Sequence, residues 1–246
     1  MIKVVINGAK GKMGESAILA VTNDESLSLV GQLDKHDSLA DFLNKQAVDI
    51  VVDLTHPSCV YENVKTILNA NCHAIVGTTG LSDEQLSLCN KLALQQKKAL
   101  LVCPNFSIGA ILMMHFSQKA AKYFNRCEII EYHHDKKADA PSGTAIKTAD
   151  LIADSSSHIN HPNLDETELI KGSRGGQRHA VPIHSLRVPG VIANQDVLFG
   201  SEGQTLTISH NTISRDAFIP GILLAIKEAT NYSGLVYGLE NLLNLS

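Results

Sequence analysis

The chain has little that would mark it for an oxidising compartment, a membrane or a nucleic acid. Its five cysteines, Cys59, Cys72, Cys89, Cys103 and Cys127, are scattered, odd in number and never spaced C-x-x-C. That pattern excludes a disulfide framework and a cysteine zinc site, and no metal is expected. No apolar run approaches the ~20 residues that a membrane-spanning helix needs. Basic charge is not in excess: 21 Lys and Arg stand against 25 Asp and Glu, a formal net charge of −4. Duplex binders carry a basic face or stripe, so neither nucleic acid nor an anionic membrane is an expected partner. Internal repeats and low-complexity tracts are absent. The opening "MIKVVI" reads as a strand and not as a signal peptide, so the expected location is the reducing cytoplasm.

What is present is an ordinary globular composition, with 44% apolar and 19% charged residues over 246 positions, enough for one large domain or two modest ones. The first hundred residues alternate β-rich runs with helix-compatible stretches. The runs are "KVVIN" (3–7), "LSLVGQL" (27–33), "VDIVVDL" (48–54), "CHAIVG" (72–77) and "ALLVCP" (99–104). In 60–70 the residues Val60, Val64, Ile67 and Leu68 share one helical face; in 83–94 Leu86, Leu88, Cys89 and Leu92 do the same, behind a Ser82 N-cap. Strand and helix at this pitch predict a parallel sheet with helices on both faces.

The grammar changes near Asn105. "SIGAILMMHFSQKAAKYF" reads as one long helix and "RCEIIEYHH" (126–134) as a strand. "SGTAIKTADLIAD" (142–154) reads as a helix with Ala145, Ile146, Ala149, Ile152 and Ala153 inward. Residues 155–176 predict a mobile loop, and the runs at 179–188, 190–200 and 204–210 predict an antiparallel meander. From about Arg215 the pattern returns to helix and is expected to pack back on the first domain. The fold class is therefore α/β. A Rossmann-type parallel-sheet domain (1–104 and 215–246) carries an inserted α+β domain (105–214) with a mixed or antiparallel sheet.

The first strand runs into "NGAKGKMG", a G-x-x-G-x-x-G variant of the dinucleotide fingerprint. Glycines let the backbone turn tightly and approach a pyrophosphate, and the helix that follows offers free N–H groups. Asp34, about 20 residues beyond the last glycine, is placed to accept hydrogen bonds from a ribose diol. Lys10, Lys12 and Lys35 are cations that tolerate a 2′-phosphate, so use of NADH, NADPH or both is expected. "DLTHPSC" (53–59), "VGTTG" (76–80) and "CPNFSIG" (103–109) fall at strand ends, where open α/β sheets collect ligands.

The densest chemistry lies in "EYHHDKKADAPSGTA" (131–145). Ser142 can cap a helix beginning at Gly143, leaving the N–H groups of Gly143 and Thr144 as an anion cradle. Lys136, Lys137, His133 and His134 supply donors and positive charge, which suits a dicarboxylate. On a regular strand the two histidines would point to opposite faces, so both reach one pocket only if the strand ends there. A solvated polar hairpin remains the alternative.

Taken together, "GAKGKMG", "VGTTG", "PNFSIGA", "EYHHDKKADAPSGTA", "IHSLRVPG" and "FGSEGQTLTISHNTISRDAF" resemble the 4-hydroxy-tetrahydrodipicolinate reductase (dihydrodipicolinate reductase) family, in order and over essentially the whole chain. The resemblance implies an NAD(P)H-dependent oxidoreductase of the diaminopimelate route to lysine. It implies a small cyclic imine dicarboxylate as substrate and a homotetramer built through the inserted domain. It also implies roles for particular residues. His133 is the acid/base and Lys137 the proton donor. His134, Ser142, Gly143, Thr144 and Thr79 hold substrate. Gly8, Ala9, Lys10, Gly11, Lys12, Met13, Asp34, Lys35, Gly77, Thr78, Thr79, Cys103, Pro104, Asn105 and Phe106 form the cofactor site. Many members carry Arg where this chain has Lys12, and Glu-Arg where it has Asp34-Lys35. The residues alone leave two rivals: another small Rossmann dehydrogenase, and a nucleotide-sensing regulator without catalysis.

Overall fold

The computed structural model describes residues 1–161, 167–243 and 245. The chain divides into two compact units, Met1–Ile108 with Arg215–Ser246, and Gly109–Ser214.

The first unit is built on six parallel strands. They are β1 (Ile2–Asn7), β2 (Leu27–Leu33), β3 (Ile50–Asp53), β4 (His73–Val76), β5 (Ala99–Val102) and, from the end of the chain, β11 (Gly234–Tyr237). Their order is β11-β5-β4-β3-β1-β2. Strands β3, β4 and β5 are buried along their whole length, which is why they read as unbroken apolar runs. Helices α1 (Lys12–Thr22), α2 (Leu39–Lys45), α3 (Val60–Asn69), α4 (Asp83–Gln96) and α7 (Ile219–Glu228) complete the unit.

Helix α3 buries Val60, Val64, Ile67 and Leu68, the predicted stripe. Helix α4 starts in a capping box between Ser82 and Gln85. Its inner face differs from expectation: Cys89 and Ala93 are buried, while Leu88 is 46% exposed. Residues 88 and 89 lie about 100° apart around the axis. The small side chains at 89 and 93 let the helix lie close, which turns Leu88 outward. Helix α2 and strand β11 escaped the sequence reading. Seven and four residues are too few to show a period, and β11 takes its ladder from β5.

The second unit carries a five-stranded mixed sheet of β6 (Arg126–His133), β7 (Gly176–Arg178), β8 (Val181–Arg187), β9 (Ala193–Ser201) and β10 (Gln204–Thr212), in the order β10-β9-β6-β8-β7. The predicted meander does not form. Of the predicted runs only the last two, β9 and β10, pair as a hairpin, and the short β7 makes a second one with β8; β6 lies between β8 and β9, parallel to the first and antiparallel to the second. Strand β6 alternates strictly, with Cys127, Ile129 and Glu131 buried, and its burial gives it the centre of the sheet. Helix α5 (Ile108–Ala120) stops short of the predicted 107–124 span.

Helix α6 (Gly143–Ser155) buries Ala145, Ala149 and Ile152 as expected, but Ile146 and Ala153 are only half-buried. Thr148 takes the inner place. It can do so because its hydroxyl donates to Thr144 O (2.7 Å) and accepts from Gln195 Nε2 (2.8 Å). Of the loop expected to be mobile at 155–176, residues 162–166 lie outside the described residues. Its earlier part is anchored: Asn160 is buried and binds Cys127 N, Cys127 O and Ala180 O, stitching the segment to β6. All five cysteines are free thiols. Among the described residues no helix is long and apolar enough to cross a membrane.

Candidate functional site

Each unit gathers its own set of chemistry-bearing residues. In the first, β1 ends in a glycine loop folded tightly on itself. Gly8 has φ +90°, and a Cβ there would lie 2.4 Å from Leu54 O; a Cβ on Gly14 would lie 2.2 Å from Gly8 O. Both positions therefore exclude any larger residue. Gly8 and Ala9 donate to Leu33 O at 2.8 and 2.9 Å, which fastens the loop beside Asp34. The N-cap of α1 is Gly11, which has no side chain to spend on the first helical N–H groups.

These features border a cavity of about 500 Å³ lined by Gly8, Gly11, Asp34 and Lys35 from the expected set. Thr55, His56 and Cys59 of the β3–α3 turn join them, as do Asp37 and Leu39. The turn "DLTHPSC" was placed at this edge from sequence, but its individual residues were not singled out. Lys10 is exposed, with Nζ 3.5 Å from Asp34 Oδ2. Hydrogen bonding by the Lys35 backbone, with the charges of Lys10 and Lys35, holds the Asp34 carboxyl below the usual range. Lys12 is exposed and Met13 half-buried at the start of α1. The glycine cradle, the uncapped helix start and an ionised acid beside them fit a dinucleotide.

Gly77, Thr78 and Thr79 follow β4, and Cys103, Pro104, Asn105 and Phe106 follow β5, on the same carboxyl edge of the sheet but not lining that cavity. Their side chains divide into exposed and structural. Thr79 and Pro104 are exposed. Cys103 and Phe106 are buried, and burial pushes the Cys103 thiol up to about 12. Asn105 Oδ1 accepts from Ser107 N (2.8 Å). Thr78 is buried, and its hydroxyl donates to Asp53 Oδ1 (2.9 Å). Asp53, fully buried at the end of β3, also accepts from Thr55 Oγ1, Asn7 Nδ2 and Asn63 Nδ2 at 2.8 to 2.9 Å. Thr78 is thus a brace between strand ends.

In the second unit, β6 ends at His133, and His134 opens a turn closed by Lys137 N–H to His134 O (3.1 Å). The two histidines therefore do not share strand geometry, and the opposite-face rule does not bind them. His133 does share a face with Glu131, two residues earlier. The fully buried Glu131 carboxylate receives His133 Nδ1 (2.5 Å) and Arg187 Nη1 (2.9 Å) on Oε2. On Oε1 it receives Arg187 Nη2 (3.0 Å) and Ser142 N (3.2 Å). Burial pushes this carboxyl up, but bonds from Arg187, Ser185 and His133 outweigh it and hold the acid below its ordinary range. Burial lowers the His133 imidazole, the Glu131 bond and charge raise it, and Lys137 and Arg187 lower it again; the result lies below an ordinary histidine.

Lys137 Nζ is gripped by both oxygens of Asp139, each at 2.7 Å. Arg187 also donates to the carbonyls of Lys137 (3.3 Å) and Asp139 (2.7 Å). Ser142 caps α6 through Ala145 N (3.1 Å), as expected. A Cβ on Gly143 would meet nothing within 4 Å, so the helix start is open there, with Thr144 half-buried beside it. Its first N–H groups have no intrahelical acceptor. Lys136 is exposed. The unit thus brings His133, Lys137, Ser142, Gly143 and Thr144 onto one framework. The sequence reading missed Glu131, Asp139 and Arg187. For Glu131 a signal existed, its i, i+2 spacing to His133 on a strand; for Arg187 none did, because the β6–β8 pairing is non-local.

Comparison with known proteins agrees along the whole chain. Residues 2–106 match the family described as dihydrodipicolinate reductase, N-terminus, and residues 109–243 match its C-terminus. The chain is 43% identical to a 4-hydroxy-tetrahydrodipicolinate reductase of Listeria innocua, over 99% of this chain and 100% of that protein. It is 47% identical to one of Legionella pneumophila, over 98% of this chain and 99% of that protein. A solved structure of dipicolinate-bound dihydrodipicolinate reductase from Paenisporosarcina sp. TG-14 matches with a TM-score of 0.90 at 40% identity, covering 99% of this chain and 100% of that one. Matched in both units over nearly their full length, this chain belongs to the dihydrodipicolinate reductase family of oxidoreductases.

Proposed function

We infer that this chain reduces 4-hydroxy-tetrahydrodipicolinate to tetrahydrodipicolinate with NADH or NADPH, a step of diaminopimelate and lysine biosynthesis. The observation that carries the reading is the framework around Glu131. An imidazole, a lysine and an open helix start, three groups suited to a dicarboxylate imine, share one support. A nucleotide sensor has no need of such a set.

The dinucleotide-binding part is the parallel-sheet unit, and the inserted unit binds substrate and carries the contacts of a homotetramer. In the first, the glycine loop from Gly8 to Met13 receives the pyrophosphate and Asp34 the ribose. Lys35, Gly77 to Thr79 and Cys103 to Phe106 complete the cofactor site, the buried ones through their backbone. A bound reduced nicotinamide supplies hydride to the conjugated imine. The N–H groups of Gly143 and Thr144, with Ser142 and His134, hold the substrate carboxylates and orient the substrate. The Lys137 ammonium stabilises negative charge developing on the conjugated system and supplies the proton, and His133 serves as acid/base.

Lys10 and Lys35 beside Asp34 leave room for either coenzyme. Lys lacks the planar fork of Arg, so the hold on a 2′-phosphate is the looser kind. Strand β10, mostly exposed and at the end of its sheet, is an edge of the sort that assembly covers. The free thiols suit a reducing cytoplasm.

Coenzyme oxidation with freshly prepared substrate tests the reading. Substrate-dependent oxidation of both NADH and NADPH is expected. Coenzyme binding without oxidation would favour a sensor, and oxidation with other imines or sugars but not this one would favour a different dehydrogenase.

A further inference from the structure

We propose that Glu131 is a positioning residue for this reaction: its single buried carboxylate sets the orientation and proton placement of His133 while tying Arg187 and the start of α6 into the same arrangement. The inference rests on the catalytic reading of His133 and Lys137 given above.

The geometry leaves the carboxylate no slack. Both oxygens are filled, Oε2 by His133 Nδ1 and Arg187 Nη1, Oε1 by Arg187 Nη2 and Ser142 N. An ionised carboxylate only accepts hydrogen bonds. It therefore requires a proton on His133 Nδ1, which leaves Nε2 as the nitrogen able to exchange a proton with a ligand. The bond also stops rotation of the ring about its own axis. Strand alternation makes this coupling local, since residues 131 and 133 rise on the same face of β6.

Arg187 extends the constraint across the sheet. While paired with Glu131 it grips the backbone carbonyls of Lys137 and Asp139, the two residues of the ammonium–carboxylate pair. Ser142, which also donates to Glu131, caps the helix whose first N–H groups form the anion cradle. One acid thus has direct bonds to the imidazole and to the cradle, and a bond through Arg187 to the lysine turn. The charges facing His133 are Glu131 on its own strand, Arg187 on β8 and Lys137 on the following turn. Glu131 is the negative one among them, so its loss lowers the basicity of the ring.

A merely structural buried ion pair would behave differently. Its loss would cost stability and leave kcat of the folded enzyme where it was. The test compares Glu131→Gln and Glu131→Asp with wild type. The measurements are the nitrogen-15 titration of His133, assigned by its loss in His133→Asn, the separate kcat and KM values, and coenzyme affinity. For Glu131→Gln the His133 titration is expected to move to lower pH and kcat to fall about 100-fold. Coenzyme affinity should be unchanged.

Glu131→Asp keeps the charge but retracts it by one methylene. The titration should return towards wild type while kcat stays about tenfold low, because one shortened carboxylate cannot meet His133, Arg187 and Ser142 together. Wild-type kcat and titration in Glu131→Gln overturn the proposal, as does lost stability with an unmoved titration. Should Glu131→Gln not fold, Glu131→Asp decides alone: lowered kcat at intact coenzyme affinity supports the proposal, and wild-type kcat overturns it. A wild-type chain that oxidises no coenzyme would overturn the reductase reading instead, and the titration would still report whether Glu131 sets the ring.

Discussion

Two carboxylates are fully buried among the described residues, one in each unit, and they are solvated differently. Asp53, at the end of β3, is met by neutral donors: the amides of Asn7 and Asn63 and the hydroxyls of Thr55 and Thr78. Glu131, near the end of β6, is met by a guanidinium, an imidazole, the Ser185 side chain and a backbone N–H. Both satisfy the rule that buried charge must be compensated. The consequences differ. The amide and hydroxyl donors carry no titrating proton, so Asp53 staples strand ends and the turn that lines the cavity. Glu131 shares a proton-bearing ring, so the chemistry of that ring depends on it. The first unit uses its acid to hold a shape and the second to hold a charge state.

Substitutions can break this comparison. The largest effect is expected at Lys137→Ala, which removes the proposed proton donor beside the Glu131–Arg187 framework. Its kcat should fall by on the order of 10²- to 10³-fold. Coenzyme affinity should not change, because the glycine loop belongs to the other unit. Near-wild-type turnover would remove Lys137 from the reaction. Asp53→Asn is expected to act on shape. An amide of the same size turns one acceptor into a donor, facing either the Asn7 and Asn63 amides or the Thr55 and Thr78 hydroxyls, which must then turn to accept, at a cost of about 2 kcal/mol in chemical denaturation. It should raise the coenzyme KM while kcat at saturation stays close to wild type; a changed pH profile would contradict the assignment of Asp53 as a staple. The smallest effect belongs to Asp34→Ala. It should raise the KM for NADH several-fold and that for NADPH less, and an unchanged NADH constant would take Asp34 out of the ribose site.

Much of the first unit was legible in the sequence because its signals are local. A glycine loop between a strand and a helix, a Ser82 capping box and the Val60–Leu68 stripe each need only a few consecutive residues. Helix α2 and strand β11 were lost for the converse reason, each spanning only about two of the periods used to find them. In the second unit the helix start at Ser142 was legible through its cap, whereas the sheet was misordered. The runs at 179–188 and 190–200 look like neighbours in a hairpin, but β6 separates them in space. Leu88 and Thr148 make the same point on a smaller scale, since hydropathy assigned Leu88 inward and left Thr148 out, and packing against neighbouring elements reversed both.

The sequence by itself determined the glycine cradle, the capped helix start at 142–145 and the crowd of imidazole and ammonium groups before it. Each depends on φ/ψ preferences and side-chain reach within a few residues. Only the tertiary structure decided that Arg187, fifty-six residues from Glu131, pairs with it. It likewise decided that Thr78 serves Asp53, twenty-five residues away, and that β6 ends where its histidines begin. Those are properties of strand pairing and burial, in which residues far apart in the chain compete for the same acceptors, and no local pattern records which of them wins.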